Sequence, residues 1–221
     1  MQSEIMTVRK DGEETRRRIL EIAGDVFGEK GYRDATHAEI CRRSGANTAA
    51  INYHFRSKEN LYIEAWQTAF HDSLKAYPPD GGIVPDAPAE ERFRGRISSI
   101  IRRVADPDNK SFAIIHREMV SPTGLLSEVM QESIAPVRKG MEDVIRELLG
   151  EKASLQQAGL CLMSVMAQCL HPMMRERRSR ILKSTALPSG FDPREMTEHI
   201  TAFSLAGIRE IRRRMESGNE S

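Results

Sequence analysis

The chain has 221 residues, 29% of them charged and 5% aromatic, a balance that fits a surface-rich helical protein with one or two full cores. No apolar run approaches the ~20 residues that a bilayer-spanning helix needs. The formal net charge is only +1, and residues 1–60 set eleven Lys or Arg against ten Asp or Glu, so bulk charge does not mark a nucleic-acid binder and any such surface must come from segregated charge.

Three cysteines and no secretory segment point to a soluble protein of a reducing cytoplasm. Cys161 and Cys169 are eight residues apart, about 12 Å along one helix, too far to bridge within the chain.

Residues 1–12 are polar, carry Arg9 and Lys10, and have too little apolar surface to order themselves, so they read as a flexible tail. From Glu13 to Lys30 the residues Ile19, Ala23, Val26 and Phe27 recur at helical spacing, and Gly31 closes the run. Arg16, Arg17 and Arg18 crowd near its start, where the helix dipole disfavours cations. A bound phosphate or a solvated face would each account for them.

The next stretch, THAEICRRSGANTAAINYHFRSK over 36–58, packs two short helices around one glycine. Thr36 is placed as an N-cap with Glu39 as its return partner in a capping box. Ala38, Ile40 and Cys41 are expected to face inward, Arg42 and Arg43 outward, and Gly45 supplies the residue free to take positive φ. Asn47 caps a second helix from Thr48, in which Ala49 and Ala50 keep one side slim while Ile51 and Phe55 turn to the core. A plain helical hairpin is the competing reading, but polar donors crowd this short helix. The pattern is that of a helix-turn-helix, whose second helix fits a DNA groove.

Ser57 caps a fourth helix from Lys58 to about Tyr77, with Leu61, Ala65, Phe70 and Leu74 as inward candidates. The segment PPDGGIVPDAP, 78–88, has four prolines and two glycines and reads as a flexible loop. Helices resume over 89–105, with Phe93, Ile97, Ile100, Ile101 and Val104 on one side, and over 110–120. A long helix follows over 123–149, with Pro136 inside it as a candidate bend. Ser154 and Gln157 form a capping box before a helix that is apolar nearly all round, with Pro172 as a candidate kink and a basic run, Arg175 to Arg180, beyond it. Asp192, Pro193 and Glu195 mark the last helix start by cap, first-turn proline and acid, with Met196, Ile200, Phe203, Gly207 and Ile211 as its seam.

No strand alternation and no repeat occurs. The fold is expected to be all-α with about nine helices: a three-helix DNA-binding domain over 13–57 and a helical ligand-binding and dimerisation domain over 58–221. No Cys/His set has metal-site spacing, and neither a phosphate loop nor a nucleophile elbow occurs, which argues against an enzyme, a metal or a cofactor. Cys161, Cys169 and His171 on apolar helices read as core rather than as a metal site.

GANTAAINYHFRSKENLY resembles the DNA-binding signature of the tetracycline-repressor (TetR) family of bacterial regulators, the similarity covering about 13–64. AAINYHF, with HREMVSP at 116–122 and QCL at 168–170, resembles the CecR branch. The resemblance implies a DNA-binding regulator, a repressor, with Asn47, Thr48 and Asn52 toward the bases, Tyr53, His54 and Lys58 on phosphates, and Thr36 and Ala49 as further DNA-binding candidates. It further implies a palindromic double-stranded DNA operator, a homodimer through the last two helices, and a small-molecule inducer. Trp66, Phe112, His116, Arg117, Met119, Met130, Met163 and Met166 are the candidates to line its pocket, each methionine being equally readable as core packing. A helical protein-interaction module without DNA binding is the competing function.

Overall fold

The computed structural model describes residues 2–182 and 192–217, of which 2–11 and 172–182 by backbone alone. The expectations for Arg9, Lys10 and the basic run 175–180 therefore lie outside the described side chains. Among the described residues there are nine helices and no strand: α1 (Gln2–Asp34), α2 (His37–Ser44), α3 (Thr48–Phe55), α4 (Lys58–Ala76), α5 (Ala89–Ala105), α6 (Lys110–Val120), α7 (Ser127–Leu149), α8 (Leu155–Leu182) and α9 (Pro193–Glu216).

Their ends obey local rules. Thr36 Oγ1 accepts from Glu39 N at 3.2 Å, Asn47 Oδ1 from Ala50 N at 2.8 Å, and Ser57 Oγ from Asn60 N at 3.2 Å. Asp192 Oδ1 accepts from Arg194 N at 2.9 Å. Ser154 and Gln157 form a reciprocal capping box, Ser154 N donating to Gln157 Oε1 at 2.9 Å and Gln157 N to Ser154 Oγ at 3.2 Å.

Several expectations change. The helical run begins at Gln2, not Glu13, so the backbone of the expected tail is helical. Gly31 (φ 79°, ψ 174°) breaks the helical geometry, but the chain makes one further turn to Asp34. Glu39 does not close a box on Thr36, because its carboxylate is drawn to Lys30 at 2.5 Å. α7 begins at Ser127, Leu126 before it being buried, and α8 continues past Pro172 to Leu182. Segment 78–88 is a series of turns, Gly81 N donating to Pro78 O and Gly82 N to Asp80 Oδ1. It lies so close to α5 that a Cβ on Gly81 would stand 2.3 Å from Gly95 O.

The chain packs as two compact units, Met1–Ser73 with Asp108–Ser133, and Leu74–Pro107 with Ile134–Ser221. The boundaries fall inside α4, between α5 and α6, and inside α7. In the first unit α1 packs on α2, α3 and α6, around Ile19, Phe27, Ile40, Ile51, Phe55, Leu61 and Trp66, all at most 1% exposed. In the second, α5 packs on α8 and α9, with Phe93, Ile97, Val144, Ile145, Ala158 and Cys169 among the core residues.

Candidate nucleic-acid interface

α3 is amphipathic in an unusual way for eight residues. Ile51 and Phe55 are buried, while Asn47, Thr48, Ala49, Asn52 and Tyr53 are exposed, Tyr53 at 83%. These exposed positions fall on one side, since residues 48 and 49 lie one turn before 52 and 53. His54 is half-buried, its ring edge-on to Tyr53 with centroids 5.0 Å apart. Thr36 is exposed at the start of α2.

The segregated charge that the composition demands is present here: between Ile40 and Lys58 stand four Lys or Arg and no Asp or Glu. The nearby acids are engaged elsewhere. Glu29 accepts both Arg43 guanidinium nitrogens, at 2.7 and 2.9 Å, which holds its carboxyl below the ordinary range. With Lys30–Glu39 this ties α2 to α1. Arg16, partly exposed, pairs with Glu64 and sits over the Phe55 ring, 5.3 Å from its centroid. Arg17 and Arg18 are exposed.

The exit from α3 is a feature that sequence reasoning missed. Arg56 has φ 65° and ψ −43°, and Ser57 N donates to Phe55 O at 2.7 Å, a three-residue γ-turn. It reverses the chain in one residue, so that Ser57 can immediately cap α4. A non-glycine residue at positive φ leaves no mark in a sequence. Lys58 is half-buried, its ammonium donating to Arg33 O at 3.4 Å and lying 4.5 Å over the Tyr32 ring. Burial lowers its pKa.

The ligand candidates divide between the two units. Trp66, Phe112, His116, Arg117, Met119 and Met130 belong to the first unit, Met163 and Met166 to the second. Met119 and Met163 are 47% and 62% exposed and so wall no enclosed cavity within their own units, and Met166 packs against the second unit's core. Arg117 is committed to α1, Nε donating to Gly28 O at 3.3 Å and Nη2 to Glu29 O, carbonyls beside the Gly31 break. Trp66 is fully buried and stacked on Phe70, its indole N–H lacking a partner among the described residues. A hollow of about 280 Å³ in the first unit is lined by Tyr32, Arg33, Glu59, Thr123 and Leu125, none of them in the expected set.

Glu118, also missed, fastens the α6–α7 connection. Its Oε1 accepts from Thr123 N, Thr123 Oγ1 and Gly124 N at 2.7, 2.8 and 2.9 Å, and its Oε2 from Tyr62 O–H at 2.9 Å. Cys169 is fully buried and burial pushes its thiol up to about 12, the state of a core residue rather than a ligand or nucleophile. Among the described residues no group of three His, Cys, Asp or Glu could hold a metal, and no helix is long and apolar enough to cross a membrane.

A three-helix head whose helix-turn-helix carries no Asp or Glu from Ile40 to Lys58, followed by a helical body, defines a DNA-binding regulator of the one-component kind. The model for bacterial regulatory proteins of the tetR family matches residues 19–65, and that for the C-terminal domain of the HTH-type transcriptional dual regulator CecR matches 89–208. The chain therefore belongs to the TetR family, in its CecR-like branch, a family of regulators rather than enzymes. It is 28% identical over 160 residues to the dual regulator CecR of Shigella flexneri, covering 68% of this chain and 70% of that one. It is 26% identical over 137 residues to the regulator SrpR of Pseudomonas putida, spanning 62% of each. A TetR-like regulator from Rhodococcus sp. RHA1 has the same fold, with a TM-score of 0.66 at 15% identity over 88% of this chain and 96% of that one.

Proposed function

We propose that the protein is a homodimeric repressor that binds a palindromic operator through α3 and is released by a small, largely apolar molecule. The observation that carries this reading is the exposed polar face of α3, set in a stretch of nineteen residues without a carboxylate. Thr36, Asn47, Thr48, Ala49 and Asn52 take the groove side, with Tyr53, His54 and Lys58 on phosphates.

Dimerisation is supported by apolar side chains left exposed on two helices that pack together. Leu155, Leu160 and Met163 of α8 are 69%, 53% and 62% exposed, and Phe203 of α9 is 65% exposed beside the small residues Ala206 and Gly207. Such a face is stable when covered, and a second copy of the same pair completes a four-helix bundle with the two-fold symmetry that a palindrome requires. For the inducer, the buried Trp66 N–H is the best-supported contact, since an unpaired buried donor is costly until something accepts from it.

The test is fluorescence anisotropy of the purified protein on the DNA upstream of its own gene against a scrambled duplex. A two-fold site bound at least 1000-fold tighter than the scramble is expected. Equal affinity for both at several salt concentrations would sink the reading in favour of a protein-interaction module.

A further inference from the structure

The two asparagines of the helix-turn-helix are both exposed but chemically unequal. Asn47 Oδ1 accepts from Ala50 N at 2.8 Å. Because the partner is a backbone N–H, the atom facing it must be the carbonyl oxygen, so the amide's orientation is fixed by that donor. Asn52 lies more than one turn further on, and its side chain makes no hydrogen bond within the described residues. Thr48 stands four residues before it and Ala49 three, both exposed on the same side.

Asparagine reads adenine in the major groove with both ends of its amide: Oδ1 accepts from the N6 amino group while Nδ2 donates to N7. Asn47 has one Oδ1 lone pair and the orientation of its amide committed to the cap that starts α3. Asn52 has neither committed. The usual reader of guanine, an Arg or Lys offering two donors to O6 and N7, does not occur anywhere from Thr48 to Phe55. Resting on the reading of α3 as the groove helix, we propose that Asn52 is the adenine-specifying residue of this protein. Each half-site then carries an A·T pair opposite it, flanked by a pair whose thymine methyl meets the Thr48 and Ala49 methyl groups. Asn47, its amide held by the cap, is a positioning residue.

The experiment is a selection from a randomised duplex library with the intact protein, repeated with Asn52→Ala, Asn52→Gln and Asn47→Ser. Asn52 is exposed, and serine keeps a capping oxygen at 47 while removing the amide. The wild type is expected to enrich a two-fold site with one adenine per half-site that N52A no longer distinguishes. On that site N52A binds about 10- to 100-fold more weakly. Replacing the same adenine by 7-deazaadenine, which lacks N7, should weaken the wild type and leave N52A unmoved, and N47S should keep the adenine preference. Loss of affinity by N52A uniformly over all sequences, relaxation at a G·C pair, or loss of the adenine preference by N47S instead would each overturn the assignment. A wild type that enriches no sequence would overturn the operator-binding reading itself.

Discussion

Removing the Glu118 carboxylate by Glu118→Ala strands the Tyr62 hydroxyl, which lies on a fully buried residue and donates to it at 2.9 Å. The Thr123 and Gly124 groups that share the other oxygen belong to half-buried and exposed residues and can turn to water. The cost is therefore mainly that of one buried unpaired hydroxyl, about 2 kcal/mol. In a chain of this length that lowers Tm by roughly 4–8 °C in calorimetry. Tyr62→Phe in the same background removes the stranded donor and should recover about 1 kcal/mol, a coupling that a double-mutant cycle reads directly. Burial pushes the Glu118 pKa up, but the hydrogen bonds from Thr123, Tyr62 and Gly124 outweigh it and hold the group below its ordinary 4.5. A carboxyl whose folded pKa is depressed contributes stability above its unfolded value and loses it as pH falls through the folded one. The gap between wild type and E118A should thus be constant above about pH 5 and narrow as pH falls below 4.5, without vanishing, because a protonated Glu118 can still accept from Tyr62. An E118A cost as large in the Y62F background as in the wild type, or a gap that does not narrow in acid, would refute the reasoning.

Arg117→Ala should cost about 1–2 kcal/mol and speed amide exchange in the turn from Tyr32 to Asp34, because the Gly28 and Glu29 carbonyls lose their guanidinium donor; unchanged exchange there would remove that role. Arg56→Gly should raise Tm by roughly 2–4 °C through relief of about 1 kcal/mol of positive-φ strain, and a lower Tm would mean that the side chain matters more than the backbone. Phe203→Glu should give a monomer in sedimentation with its helical content intact, since the residue is 65% exposed on its own chain; an unaltered dimer would place the interface elsewhere.

What the sequence alone determined is what is decided within one turn of helix. The caps at Thr36, Asn47, Ser57, Ser154 and Asp192 and the αL residue Gly45 (φ 67°) depend on groups two to four residues away, and the acid-free run over 40–58 is visible in the letters themselves. Helices, their order and the helix-turn-helix were legible for that reason. Tertiary structure decided where side chains with more than one eligible partner go. Glu39 had Thr36 close at hand and took Lys30, nine residues back. HREMVSP offered His116 and Arg117 as ligand contacts, yet Arg117 is spent on carbonyls 89 and 88 residues away, and its neighbour Glu118 on a tyrosine 56 residues away. Methionine is apolar enough for a core, a pocket or an interface, so spacing could not separate Met166, packed, from Met163, exposed. Periodicity reports which face of a helix avoids water; the neighbour that covers that face is chosen by chain connectivity over distances that local spacing does not encode.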